Sequence, residues 1–203
     1  MAETVRFRTV ARLGKAELAI KGSRFIAQAF PVSSVEEAEE TIHGVKVHYC
    51  DATHNCSAYR VGYGAQAVYR FDDDGEPAGT AGRPILQAIE GKGLTDVAVV
   101  VTRYFGGIKL GAGGLVRAYS AAASAALEDA GPIEKSPQVE VSVQVPYAYY
   151  DLVQQVVREQ GGTIVRSQFA ERVSLLVTVP AESRDKLLNK LVDVTAGRIR
   201  IRE

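Results

Sequence analysis

Two glycine-rich segments concentrate the residue types suited to holding an anion. The first, DDDGEPAGTAGRP, runs from Asp72 to Pro84, and the second, RYFGGIKLGAGGLVRAY, from Arg103 to Tyr119. Glycine lets a backbone approach a ligand closely, and the unpaired N–H groups of a helix N-terminus attract negative charge. Arg83, Arg103, Lys109 and Arg117 add positive charge to these segments. The competing reading is that the glycines serve only tight turns and close packing. Neither segment is a known nucleotide loop. No G-x-x-x-x-G-K-[ST] occurs, and Val116 stands where a dinucleotide loop starting at Gly111 needs its third glycine.

Acidic residues crowd the first segment. Asp72, Asp73, Asp74 and Glu76 either neutralise nearby arginines within the fold or offer oxygen ligands to a divalent cation, although their order lacks the spacing of an EF-hand. The stretch from His48 to Cys56 holds His48, Cys50, His54 and Cys56 at even positions. In one straight strand these would share a face but spread over about 26 Å, too far for one metal, so only a turn at Asp51-Ala52-Thr53 could gather them. No metal site is expected. His54 is an acid/base or ligand contact candidate because its ordinary pKa lies near neutral pH, against the alternative of a hydrogen-bonded structural histidine. There is no G-x-S-x-G elbow and no nameable nucleophile, so catalysis has no sequence support.

The elements that must position these residues follow from periodicity. Extended segments are expected around 5–13, 15–20 and 24–32, with a helix from Glu36 capped by Ser33 or Ser34. Strands at 57–63 and 66–71 precede a helix opening near Pro84. Val97–Val101 reads as a fully buried strand, and the alanine-rich run Ala118–Ala130 as a helix packed closely on a sheet. This predicts a mixed sheet with helices on one side.

The stretch from Gly131 to Pro137 reads as a linker, giving domains of 1–131 and 138–203 joined by 132–137. Beyond it, alternating Val139, Val141, Val143 and Val145 form a strand. Leu152, Val153, Val156 and Val157 follow at helical spacing. A strand at Ile164-Val165, another at Val173–Val179, a helix through Leu187 and Leu191, and a last strand at Ile199–Ile201 complete a ferredoxin-like βαββαβ order. The fold class expected overall is α+β.

Composition narrows the function class. The 203 residues carry 24 Lys+Arg and 24 Asp+Glu, which argues against nucleic-acid binding through bulk charge. Residues 138–203 hold 9 basic and 8 acidic residues, leaving 15 and 16 for residues 1–137, so any anion site must be local. Two cysteines suit a reducing cytoplasm, and no apolar run reaches the ~18 residues of a membrane span.

The segments KGSRFIA (Lys21–Ala27), DATHNCSAYRVG (Asp51–Gly62), DDGEPAGTAGRPIL (Asp73–Leu86) and VVVTRYFGGIKLGAGGLVRAY (Val99–Tyr119) resemble the YigZ/IMPACT family. Cys50 lies outside the recognised pattern. The resemblance implies an N-terminal domain with the left-handed βαβ fold of a small-subunit ribosomal protein and of the fourth domain of elongation factor G. It implies a C-terminal domain like that factor's fifth. It points to translation: eukaryotic relatives regulate signalling to an initiation-factor kinase through a partner protein, using an additional N-terminal domain that this chain is expected to lack. The resulting expectation is a cytoplasmic, non-catalytic translation-associated regulator, without cofactor, that contacts RNA, the ribosome or a translation factor. The alternative is a protein or enzyme that binds a phosphate-bearing metabolite. Residues expected at one shared anion site are His54, Asp73, Asp74, Glu76, Thr80, Arg83, Arg103, Tyr104, Gly106, Gly107, Lys109, Gly113, Gly114 and Arg117.

Overall fold

A computed structural model describes residues 6–202, which fall into two compact units, one of Phe7–Lys135 and one from Ser136 onward. The first unit is built on β1 (Phe7–Val10), β2 (Gly14–Ile20), β3 (Ser23–Pro31), α1 (Val35–His48), β4 (His54–Val61), β5 (Val68–Asp72), α2 (Gly82–Gly91), β6 (Val97–Tyr104), α3 (Ala112–Asp129) and β7 (Pro132–Lys135). Its main sheet has the order β2-β3-β6-β4-β5. Every neighbouring pair is antiparallel, so β3 and β4 run parallel to each other on either side of β6, joined by α1.

The sheet thus differs from the mixed one that the sequence suggests, and helices cover both faces. Phe25, Ala27, Cys56, Ala58, Val97, Val99 and Val101 share a core with Ile85 and Ile89 of α2 and with Leu115, Tyr119, Ala122 and Ala126 of α3. On the opposite face, α1 packs Ala38 over Tyr59, Val61 and Ala98. Burial on both faces is why β6 is apolar without alternation. The alanines of α3 allow close approach to the sheet: a Cβ on Gly14 would stand 2.2 Å from the Ala126 carbonyl oxygen. α1 starts where its cap dictates, with the Ser34 hydroxyl accepting from Glu37 N–H at 3.1 Å. Pro132–Lys135, within the stretch that reads as a linker, is a strand paired antiparallel with Phe7–Val10.

The second unit contains β8 (Gln138–Val145), α4 (Tyr150–Glu159), β9 (Thr163–Phe169), β10 (Val173–Pro180), α5 (Arg184–Val194) and β11 (Arg200–Arg202). Its sheet has the order β11-β8-β10-β9, again antiparallel throughout. Inward-facing Val141, Val143, Val145, Val173, Leu175, Val177 and Val179 pack against Val153, Val156 and Val157 of α4 and Leu187 and Leu191 of α5. The other sheet face carries polar side chains.

Candidate functional site

Five of the expected site residues, His54, Asp73, Asp74, Glu76 and Arg103, lie where β3 begins, β4 begins and β6 ends. Register sets Phe25, Arg103 and His54 side by side across the three strands. All three lie on the same face as Cys56 and Val101, the face covered by α2 and α3. Into this corner the loop after β5 delivers Glu76, and α3 delivers Tyr119.

Arg103 and Glu76 form a buried ion pair. Their closest N–O distance is 2.6 Å, and the side chains are 6% and 4% exposed. Glu76 Oε1 also accepts from the Tyr119 hydroxyl at 2.8 Å. A second guanidinium nitrogen donates to the Ser23 hydroxyl at 3.3 Å, while the buried Nε has no partner. Phe25 and Phe105 place their rings 5.5 and 5.4 Å from the guanidinium carbon, favourable for a cation. The Cys56 thiol donates to the Asp73 carbonyl at 3.0 Å and also contacts the Tyr119 hydroxyl. Burial pushes its pKa up to about 12, and burial likewise raises that of Tyr119. The thiol is therefore protonated and inward-facing, a packing group instead of a nucleophile.

The remaining acids of the first segment hold the loop itself. Asp73 accepts from the backbone N–H groups of Gly79, Ala81 and Gly82 at 2.7, 3.0 and 2.8 Å, neutralising the start of α2. Asp74 accepts from Asn55 N–H at 2.7 Å and, with Asp72, from Lys46 of α1 at 2.8 and 2.7 Å. Lys46 holds the Asp72 carboxyl below its ordinary pKa range. His54 Nδ1 lies 2.8 Å from the Asp74 carbonyl oxygen, and its Nε2 lies 3.9 Å from Glu76. Thr80 hydrogen-bonds the Pro77 carbonyl at 2.6 Å. Of the two readings of the acidic run, internal neutralisation describes these contacts.

The second glycine segment separates into fixed and free parts. The Gly106 N–H donates to the Ser23 hydroxyl at 3.2 Å, and a Cβ there would stand 1.9 Å from the Gly22 carbonyl carbon. Gly107 adopts φ 86° and Gly111, which caps α3, φ 74°. Gly113, by contrast, is helical and would place a Cβ in ordinary contact with Arg117. Tyr104 reaches away from the buried pair to hydrogen-bond Asp51 at 2.9 Å. Arg83, Lys109 and Arg117 are exposed and have no hydrogen-bond or ion-pair partner within the described residues.

The structure therefore brings His54, Asp73, Asp74, Glu76 and Arg103 into one bonded network and leaves Arg83, Lys109 and Arg117 at the surface. Tyr119, Ser23 and Lys46 belong to the network but escape sequence reasoning, and Cys56, weighed from sequence only as a metal ligand, joins it through the Asp73 carbonyl and the Tyr119 hydroxyl. Tyr119 carries a usable signal, since a tyrosine within an alanine-rich core helix must find a partner for its hydroxyl. Among the described residues, no group of three or more His, Cys, Asp or Glu is placed to hold a metal ion.

This antiparallel sheet with helices on both faces, tied at one end by a buried Arg–Glu pair beneath glycine-rich loops, is the first of two α+β units in the chain. Residues 21–127 match the Impact N-terminal domain and residues 143–198 a domain of unknown function (DUF1949). The chain belongs to the IMPACT family. It is 36% identical to the IMPACT family member YvyE of Bacillus subtilis over 96% of this chain and 89% of that protein. Its identity to YigZ of Escherichia coli is 36% over 90% of each chain, and to a Thermus thermophilus member 42% over 89% of this chain and 97% of that one. A crystal structure described as that of a hypothetical protein superposes with a TM-score of 0.73 at 33% identity, covering 97% of this chain and 96% of that one. Among the described residues, no helix is long and apolar enough to cross a membrane.

Proposed function

We propose that this chain is a non-catalytic, translation-associated regulatory protein whose first unit contacts the phosphates of structured RNA beside its glycine-rich loops. One observation carries the reading. The acids of the first loop are engaged by Arg103, Lys46 and the start of α2, whereas Arg83, Lys109 and Arg117 face solvent unpaired. A chain of zero formal charge thus carries a local cationic surface next to the opening of α3, which no side chain caps and where the helix dipole favours an anion. The β3-α1-β4 crossover around β6 supports the ribosomal-protein-type fold for this unit, and the β11-β8-β10-β9 order supports the ferredoxin-like fold for the second.

The test is a salt titration of binding to an RNA hairpin by fluorescence anisotropy. Each phosphate neutralised should contribute about −0.9 to the slope of log K against log salt, so Lys109→Glu with Arg117→Glu should flatten the slope by about 2. Absence of binding at about 50 mM salt, or an unchanged slope in the variant, overturns the reading. A thermal-shift screen with nucleotides covers the phosphate-metabolite alternative, since ligand at about 100 times Kd should stabilise by about 2.7 kcal/mol.

A further inference from the structure

The main sheet of the first unit ends in two strands, β2 and β5, each without a strand neighbour on its outer side. An unpaired strand edge is a template for another strand, and proteins blunt it with charges, proline or bulges. β2 carries such charges, Lys15 and Glu17, at exposed positions. β5 is built differently. All five of its residues are exposed, among them Val68, Tyr69 and Phe71 at 44%, 55% and 47%. It contains no proline or lysine, and its pairing with β4 runs without a bulge.

Register assigns the faces of β5. Phe71 pairs with Ala58 and Tyr69 with Arg60, on the face that packs with α2 and α3. Arg70 pairs with Tyr59 and Asp72 with Ser57, on the face that α1 covers. Two side chains of α1 hold these charges. Arg70 donates to Glu39 at 2.7 Å, and Lys46 donates to Asp72 at 2.7 Å. The Arg70 and Asp72 side chains are nevertheless more than half exposed, which leaves each room for a second partner.

We propose that β5 pairs antiparallel with β5 of a second copy of this chain, extending the sheet across a two-fold axis. Such pairing keeps every residue on its own face of the sheet, so only the residue at the axis remains to be fixed. An axis at Arg70 opposes two guanidinium groups, and like charges directly opposite are destabilising. With the axis at Tyr69, Arg70 faces an apolar valine. With the axis at Phe71, the two Phe71 rings meet and each Arg70 stands opposite Asp72 of the second copy. Each half of the contact then reads Glu39, Arg70, Asp72, Lys46 in alternating charge, the last two from the second copy. A two-fold contact requires this kind of self-complementarity, which favours a copy of the chain over an unrelated extended peptide. The contact uses none of Arg83, Lys109 and Arg117 and does not rest on the RNA reading.

The experiment is sedimentation velocity of the full chain from about 1 µM to about 1 mM, with folding followed by circular dichroism. The wild type should pass from monomer to dimer within that range. Arg70→Asp and Asp72→Arg should each stay monomeric, because like charges then face each other twice. An equimolar mixture of these two variants should dimerise, since every facing pair is again of opposite sign. Phe71→Asp leaves both ion pairs with α1 in place and should abolish the dimer as well. Amide exchange at β5 should slow as concentration rises, while that at β2 stays unchanged. A wild type still monomeric at about 1 mM overturns the proposal and leaves the edge to a segment of another protein. It is equally overturned if Phe71→Asp and the charge variants dimerise as the wild type does, or if the mixture of folded variants stays monomeric. Lys109→Glu with Arg117→Glu should dimerise normally, so a failure of the RNA reading is distinguishable from a failure of this one.

Discussion

Replacing Glu76 by alanine removes the only carboxylate, among the described residues, that pairs with the Arg103 guanidinium, whose side chain is 6% exposed. Breaking a buried pair by deleting one partner costs about 3–5 kcal/mol, because the remaining charge is left in a poorly solvating interior. Tyr119 would also lose the acceptor that it holds at 2.8 Å, worth about 1 kcal/mol. What remains for Arg103 is the Ser23 hydroxyl at 3.3 Å and two ring faces, while its Nε is already unsatisfied. The expected loss is therefore about 4–6 kcal/mol, a large part of the ~5–15 kcal/mol stability of a domain. Two units need not unfold together, so urea unfolding should be read by hydrogen exchange at the amides of β6, which belongs to the first unit alone. Glu76→Gln, which keeps an acceptor for Tyr119, should fall between the wild type and Glu76→Ala. Glu76→Leu with Arg103→Met removes both charges and should recover to within about 1 kcal/mol of the wild type. A loss below about 1 kcal/mol for Glu76→Ala would show that water or another group solvates Arg103 and would refute the reasoning. So would a double variant as unstable as the single one.

Three further outcomes are expected. Gly106→Ala should destabilise the first unit strongly because its Cβ would overlap the Gly22 carbonyl, whereas Gly113→Ala should be neutral or stabilising by up to about 1 kcal/mol; thermal melts of the two variants would show equal effects if this distinction is wrong. Alkylation at about pH 8 followed by mass spectrometry should modify exposed Cys50 and spare Cys56 until denaturant is added, and equal labelling rates would contradict the buried thiol. Lys46→Met should cost less than about 1 kcal/mol at neutral pH, since Asp72 is half exposed. The Asp72 carboxyl is held below its ordinary value, so its contribution is complete above that value and lost as pH falls through the depressed one. Lys46 is itself raised, so its contribution is lost only at alkaline pH above its ordinary value. A wild-type-minus-variant stability difference that grows on acidification would contradict this assignment.

Elements defined by local pattern could be read from the chain alone. The alternating valines of β8 and β10, the Ser34 cap of α1 and the small-residue face of α3 each report a local requirement. Sheet order is a different kind of information. The placement of β6 between β3 and β4 rests on pairings such as Ala27 with Val101 and Cys56 with Val101, which no local window contains. The uniform apolarity of β6 also conceals that Ala98 serves one core and Val97 and Val99 the other, which is why helices on one face seem sufficient from sequence.

Charge was the least readable property. Glu76 and Arg103 are 27 positions apart, and nothing in their residue types separates a buried pair from two solvated side chains. Once folding has paired Glu76, Asp72 and Asp74 and set Asp73 at the start of α2, the charge that a partner meets differs from the charge that the sequence sums. Binding surfaces in a chain of zero formal charge are thus created by which acids the fold consumes, and mutations that release a consumed acid should weaken binding without touching the surface cations themselves.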